Sequence, residues 1–369
     1  MPTEKAHGIQ LAKMCESFVE QGIDLELVAP RRRTTCASLK GFYGLRTDVP
    51  IKKIPVIDRY VSGRMGFFVS SVSFALGYFF YLLGKRLRGE KFIIYMTDID
   101  QFSFFLIPFL RVPYFCEIHD AKKKRLPFVL LFNNACGIIT INAIIKKELS
   151  ETYDIASDRI IVHPNGIDLN MFTSLLTEVQ AKNILKINAD KPIILYVGGF
   201  YEWKGLGDLV RAARLIGRDV AWYLVGGNEN DLMRVSGIKE IPSSIHCMGH
   251  RKFMEIPIWL AAADIVLVLG TKKNEYSYLH TSPMKFFEYM ASKKPIVASN
   301  TPANRQIVSD REAILYEPDN ASDLAEKIRY AVGHRGEGEI RAANAYEKVK
   351  EFSWSRRAKS IIEFIEHRV

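Results

Sequence analysis

Apolar residues recur along this chain in two alternating modes. They fall at every third or fourth position over a dozen residues, then in short unbroken runs of four or five bounded by Gly, Pro or Asn. The first mode is a helix with one buried stripe and the second a strand covered on both faces. The pattern predicts a helix over 7–22, carried by Ile9, Leu11, Met14, Phe18 and Val19 and ended by Gly22, then a strand over 25–29. A polar and basic stretch to about residue 64 leads into a long helix ending at Arg88. Strands over 92–96, 114–118, 137–141 and 159–162 follow, with helices over 101–110 and 143–153. A doubly wound sheet places a strand before its first helix, and only Met1 to Ala6 stands there. The first strand of this half is therefore expected to be missing, or the fold incomplete at that point.

Turn chemistry at Pro164-Asn165-Gly166-Ile167-Asp168 and a Lys, Asn and Thr-rich stretch to Lys191 read as a linker. Strand and helix then alternate again. Strands are predicted over 192–197, 221–225, 244–248, 265–269, 296–298 and 313–316, and helices over 206–216, 253–262, 302–309 and 322–332. A last helix over 354–367 keeps Trp354, Ala358, Ile361, Ile362 and Ile365 on one side, so it packs. Alternation of this kind implies parallel sheets with helices on both faces. The organisation read from it is a first α/β domain over 1–165, a linker over 166–190, a second α/β domain over 191–345, and a terminal helical segment over 346–369 that packs back across the domains.

Three places carry chemistry. In HTSPMKFFEYMASKKPIVASN (280–300), Ser282 reads as an N-cap and Pro283 as the first helical residue, with Phe286, Phe287, Met290 and Ala291 as the apolar face. Lys285 and Glu288, three apart, are expected on the other face. A lysine in a first turn opposes the helix dipole by roughly 0.3–1 kcal/mol, so either an anion sits beside it or the face is simply solvated. Gly198-Gly199 closes a strand, with Lys204 six residues after Gly198, an arrangement that lets a backbone approach a phosphate. The glycine pairs do not make GxGxxG, so a nicotinamide dinucleotide fingerprint is absent. His119-Asp120 stands at a strand's carboxyl end, where open α/β sheets bind ligands; as an isolated pair it is equally compatible with a structural role.

Composition narrows the setting. With 369 residues, 48% of them hydrophobic and 25% charged, the chain is globular rather than disordered. Cys15, Cys36, Cys116, Cys136 and Cys247 lie far apart with no CxxC, which suggests neither a zinc site nor a disulfide framework and fits a reducing cytoplasm. No signal peptide is visible in MPTEKAHGIQ. The net charge of +10 is concentrated: residues 31–125 hold 18 Lys/Arg against 7 Asp/Glu, leaving the remainder close to neutral. That window contains Arg31-Arg32-Arg33, an 18-residue uncharged run over 66–83 flanked by Arg64 and by Lys85, Arg86 and Arg88, and Lys122-Lys123-Lys124-Arg125 followed at once by LPFVLLF. Basic clusters beside apolar runs are what an anionic lipid surface attracts. The uncharged run just reaches spanning length, but its serines, glycines and tyrosines favour a buried or interfacial helix. No nucleic-acid-binding module appears.

Taken together, PNGID (164–168), VGGFYEWKG (197–205), the MGH turn (248–250), AAADIVLVL (261–269), SPMKFFEYMASKKPIVASNTP (282–302) and EAILYEPDN (312–320) resemble the nucleotide-sugar half of the retaining glycosyltransferases of family 4. The opening PTEKAHGIQLAKMCESF resembles a bacterial subgroup that builds surface polysaccharide. The resemblance implies a GT-B fold, two Rossmann-like doubly wound domains facing a central cleft. It implies transfer from a nucleotide sugar to a lipid-linked or membrane-proximal glycan, with neither metal nor other cofactor. It also implies a cytoplasmic protein, peripheral on the inner face of the plasma membrane, with no nucleic-acid partner.

Carried over by position, Glu288 holds the donor ribose, Lys204 the diphosphate, and His119 contacts the donor sugar. These three are the expected catalytic residues. The nucleotide-sugar contacts are expected at Gly8, Gly198, Gly199, Lys204, Arg251, His280, Ser282, Met284, Lys285 and Glu288. Two positions depart from the family pattern: His280 stands where it has the first Glu of E-x7-E, and Gly199 where it has a phosphate-binding Arg. Lys285 is the candidate to replace that arginine's charge. Alternatives are another GT-B enzyme, such as a soluble transferase or a nucleotide-sugar epimerase, and a silent nucleotide-sugar-binding subunit.

Overall fold

The structure is a computed structural model that describes residues 6–32, 38–97, 100, 102–172, 176–187 and 190–369. Of the features singled out above, Met1 to Lys5, Arg33, Cys36 and Gln101 lie outside this set. The chain forms two compact units. Met1–Asn165 and Trp354–Val369 make the first, and Gly166–Ser353 makes the second.

In the first unit, β1 (Leu27–Arg31) pairs in parallel with β2 (Ile51–Pro55), while β3 (Ile94–Met96), β4 (Tyr114–Ile118), β5 (Gly137–Thr140) and β6 (Ile160–Val162) form a four-stranded parallel sheet in that order. Every residue of β4 and β5 is buried, as strands covered on both faces require. Helix Ala143–Tyr153 starts where the Asn142 side chain accepts from the Ile145 N–H, and ends at Asp154 in the left-handed region. The long helix Gly63–Leu87 buries Ser70, Ser71, Phe74, Ala75 and Tyr78, the apolar ones joining Ile54 and Ile107 in the core. It is thus held along its length by one side. The terminal helix Trp354–Glu366 belongs to this unit and packs on Ala6–Glu20.

In the second unit, β7 (Ile193–Val197), β8 (Ala221–Val225), β9 (Ile245–Cys247), β10 (Ile265–Val268), β11 (Ile296–Ser299) and β12 (Ile314–Tyr316) make one parallel sheet of order β12-β11-β10-β7-β8-β9. This is the doubly wound order. Its direction reverses between β7 and β10, so the crevice outside their carboxyl ends is where a ligand is expected. Two apolar clusters fill the faces, one around Trp259, Phe286 and Phe287, the other around Trp222, Leu209 and Leu324.

Several expectations change. The stretch read as a linker holds a helix, Glu178–Leu185, opened by a capping box between Thr177 and Gln180 and packed through Ala181 on Ala261 and Ala262. The segment expected as one terminal unit from 346 divides, because Ser353 ends the second unit and Trp354 begins the return to the first. The helix expected over 101–110 is a short 3-10 turn, Ile107–Leu110, with Pro108 at its start. Helices Leu126–Asn134, Glu229–Ser236 and Arg335–Val349 were not predicted as such. The last has few apolar residues, and its buried face is built from Gly338, Ala342 and Ala345, which carry a weak periodic signal.

The ends of β7 and β8 interlock through glycine. Gly226 has φ 125°, and a Cβ there would stand 2.4 Å from the carbonyl oxygen of Gly198. Gly226→Ala is therefore expected to destabilise the protein by about 2–4 kcal/mol, strain and overpacking together. Gly237→Ala, in the left-handed region with φ 69° and ψ 19° and in open space, should cost only about 1–2 kcal/mol. Denaturant unfolding of both variants checks this, and equal losses would remove the steric reading.

Candidate functional site

The helix Met284–Ala291 carries three of the expected site residues, Met284, Lys285 and Glu288, and is fixed to the carboxyl end of β7. Its Tyr289 hydroxyl accepts from the Val197 N–H at 2.8 Å and donates to the Val197 carbonyl at 3.4 Å, which pins the helix to the strand end. Lys285, one turn earlier, lays its ammonium 4.0 Å from the centre of the Tyr196 ring, and that Nζ is buried with no hydrogen-bond partner. It also lies where a side chain on Gly198 would begin, 3.2 Å from an added Cβ; Gly198 itself has φ 144°. A glycine is required here because a cation occupies the space of its missing side chain.

Lys204 reaches the same neighbourhood from the loop after β7. Its Nζ stands 3.8 Å from the centre of the Trp203 ring, and burial lowers its pKa to about 7. Burial also lowers Lys285 well below the usual lysine range, and repulsion from Lys204 adds to this, against a smaller opposing pull from Glu288. Glu288 is buried, and desolvation raises its carboxyl to about 7 although Lys285 works the other way. These three expected residues therefore form one electrostatic group. Burial disfavours both ammonium groups, and the Lys285 nitrogen has no hydrogen-bond partner, so an anion reaching the two lysines would favour their charged forms. A carboxyl titrating near neutrality can hold vicinal hydroxyls as acceptor or donor.

Two local expectations are corrected. Ser282 does not cap the helix, which begins at Met284 with Pro283 in the cap position and no side-chain cap bond. Glu288 is not on a solvated face, since it is 7% exposed. Both follow from the chain before the helix: Tyr276–His280 is a π-helical turn that the sequence did not signal, and it buries His280, Thr281 and Ser282. Such turns cluster at functional sites. The turn is braced by the Ser277 hydroxyl accepting from the Thr271 N–H and by Asn274 accepting from the Ser277 N–H. His280 is thus a buried residue ending the turn. At Gly199 an added Cβ would stand 2.6 Å from the Tyr201 ring, so the aromatic fills the space an arginine side chain would need.

The other expected contacts are more dispersed. Arg251 is exposed, its guanidinium 5.9 Å from the Trp259 ring centre, and Met284 is half-buried at the helix start. A cleft of about 470 Å³ lined by Trp203, Asp208, Arg211, Thr271 and Asp319, among others, includes none of Lys204, Lys285 and Glu288. The site is located by its charges and not by that cleft.

In the first unit, Gly8 lies in the first turn of helix Ala6–Glu20, and His119 follows β4. His119 Nε2 is 2.6 Å from Glu117 Oε1, which also accepts from Gln10 at 2.8 Å and from Arg357 Nη2 at 2.9 Å. Arg357 Nη1 donates to the other Glu117 oxygen at 3.2 Å, and Tyr95 donates to it too. Burial alone would raise the Glu117 carboxyl, but the Arg357 guanidinium and the His119 ring outweigh it and hold the group well below the usual carboxylate range. Asp120 is paired outside this cluster, with Lys122. Glu117 and Arg357 were missed by sequence reasoning. Their signal was a charge inside the apolar strand YFCEI, and an arginine on the Trp354, Ala358, Ile361 stripe of an otherwise packed face.

Comparison with known proteins agrees with this architecture. A D-inositol 3-phosphate glycosyltransferase of Xylanimonas cellulosilytica is 25% identical over 232 residues, covering 59% of this chain and 53% of that one. An N,N'-diacetylbacillosaminyl-diphospho-undecaprenol alpha-1,3-N-acetylgalactosaminyltransferase of Campylobacter jejuni is 26% identical over 172 residues, 46% of this chain and 43% of that one. The chain spans about half the length of these curated relatives. Among solved structures, Anabaena HepE in complex with UDP-glucose superposes with a TM-score of 0.73 at 17% identity, covering 99% of this chain and 97% of that one. Residues 191–334 match the family described as Glycosyl transferases group 1, and the two Rossmann-like units have the fold of the GT-B glycosyltransferases.

Proposed function

We propose that this chain is a retaining glycosyltransferase that moves a sugar from a nucleotide-sugar donor to a lipid-linked or membrane-proximal glycan in cell-surface polysaccharide synthesis. The observation that carries the reading is the convergence of two desolvated lysines, Lys204 and Lys285, with Glu288 at the carboxyl end of β7, the reversal point of a doubly wound sheet. A diphosphate bridging the lysines would restore their charge, and Glu288 would hold the ribose hydroxyls. In the transfer step the bond from the anomeric carbon to the phosphate oxygen breaks as the acceptor oxygen bonds from the same face. The acceptor's proton passes to the departing phosphate oxygen. The lysines contribute by stabilising charge that develops on the leaving diphosphate. In this reading Lys285 replaces the arginine that the family carries at the position of Gly199.

The acceptor side rests on the surface of the first unit. Met65, Leu76, Phe80 and Leu87 stand on the outward face of helix Gly63–Leu87, 46–79% exposed, in a segment that contains no acidic residue. The 3-10 turn Ile107–Leu110 and helix Leu126–Asn134 lie beside it in sequence of contact and expose Phe109, Leu126 and Leu130. Arg64, Arg88 and the run before Leu126 supply cationic borders. This arrangement suits an in-plane helix on an anionic lipid surface, its other face being committed to the core. The Campylobacter relative is named for a diphospho-undecaprenol substrate, which agrees with such an acceptor. The inositol-phosphate relative favours the second reading, a soluble acceptor.

Glu288→Ala is expected to raise the donor KM roughly 10- to 100-fold, the loss of one or two hydrogen bonds to a charged group. A variant with unchanged donor KM would remove Glu288 from the site. Above about pH 7 Lys204 loses a proton that a bound diphosphate would hold in place, and burial disfavours the Lys285 ammonium in the same direction. Binding then takes up a proton at Lys204, so UDP-sugar affinity should fall from about pH 7.5 to about pH 9, by up to tenfold per unit. Lys204→Met should flatten this decline in a calorimetric titration; a wild-type affinity that rises over the interval contradicts the assignment. On the acceptor side, equimolar phosphatidylglycerol and phosphatidylcholine vesicles should sediment the wild type and bind Leu76→Glu/Phe80→Glu at least tenfold more weakly, with unfolding and donor binding unaltered. No vesicle binding by the wild type favours a soluble acceptor.

A further inference from the structure

The buried cluster around Glu117 is larger than the docking of one helix requires. Glu117 is fully buried, and its two oxygens are shared among His119, Gln10, Tyr95 and both terminal nitrogens of Arg357. Arg357 comes from helix Trp354–Glu366, more than two hundred residues later, and is itself almost wholly buried. Its remaining donors reach the Pro164 carbonyl at 2.9 Å and the His163 carbonyl at 3.4 Å. A buried ion pair stabilises no better than an apolar pair of the same size, so anchoring alone does not explain why charge is placed in an otherwise apolar strand. What the cluster does is orient one ring. His119 stands at the carboxyl end of β4, 15% exposed, with Nε2 on the Glu117 carboxylate. The Gln10 amide nitrogen stands 3.0 Å from the same Nε2 and donates to Glu117 Oε1; with Nε2 donating to that shorter carboxylate contact, the imidazole carries its proton on Nε2 and leaves Nδ1 with a lone pair.

We infer that Arg357 and Glu117 are positioning residues: the terminal helix, through Arg357, holds the Glu117 carboxylate in the geometry that fixes the tautomer and direction of His119. Arg357 grips both oxygens of the carboxylate, with Gln10 on Oε1 and Tyr95 on Oε2, and so fixes the plane in which Oε1 meets the ring. The interaction couples the last helix of the chain to the residue proposed above to contact the donor sugar, and its catalytic consequence rests on that reading of His119. The structural part does not, because the tautomer is a property of the protein without substrate.

The test is nitrogen-15 NMR of the His119 side chain in the full-length protein, assigned with His119→Gln, together with steady-state kinetics. The wild type should show the Nε2-protonated tautomer. Arg357→Met should give a mixed tautomer population and lower kcat roughly 10- to 100-fold with donor KM within about twofold, and Arg357→Lys should recover the tautomer and much of the turnover. Glu117→Gln, nearly isosteric and neutral, serves if Arg357→Met does not fold, and should likewise lose the single tautomer. A His119 spectrum unchanged in the folded variants overturns the inference, as does a kcat loss that merely follows the fraction unfolded. Absence of transfer by the wild type would count against the proposed reaction and leave the tautomer result to decide this point.

Discussion

The carboxyl end of β7 is organised around two lysines, Lys204 and Lys285, whose ammonium groups burial disfavours. Lys204 stacks on Trp203 and Lys285 on Tyr196, so each is held by an aromatic face, where a carboxylate would have quenched its charge. Cation–π contact of this kind offsets only part of the desolvation, which is why both pKa values fall. The surrounding backbone makes the arrangement rigid. Gly198 gives up its side-chain volume to the Lys285 ammonium, Gly226 lets the β8 end press against the Gly198 carbonyl, and Tyr289 ties the helix to Val197.

The first unit uses charge in the opposite way. Its interior holds a fully paired cluster, in which Glu117 and Arg357 satisfy one another and the groups around them. Its exterior instead presents an apolar helix face to the outside, bordered by cationic residues. Both features are local inversions in a unit whose core is otherwise apolar. Each inversion has a local compensation: hydrogen bonds for the first, and a lipid surface in the reading proposed here for the second.

Much of the fold was legible because parallel strands covered on both faces read as unbroken apolar runs. Predictions for 114–118, 221–225, 143–153 and 206–216 coincide with Tyr114–Ile118, Ala221–Val225, Ala143–Tyr153 and Leu206–Ile216. Helices with weak apolar periodicity, such as Arg335–Val349, were not, since their burial depends on small residues meeting a neighbour. The same limit explains Ser282. Ser-Pro is a sound local signal for a helix start, but the π-helical turn before it, braced by Asn274 and Thr271, delays the helix and buries the serine.

The sequence by itself determined the alternation of strands and helices, the division into two α/β halves, and the clustering of positive charge in residues 31–125. These depend on neighbours in the chain, through periodicity, turn chemistry and composition. Tertiary structure decided which face Lys285 and Glu288 occupy, that Lys204 joins them, that Tyr201 fills the space beside Gly199, and that Arg357 meets Glu117 across 240 positions. The physical reason is common to all four. Desolvation and Coulomb coupling are set by distances in space, and no spacing along the chain encodes which strand end a distant helix will be pinned to.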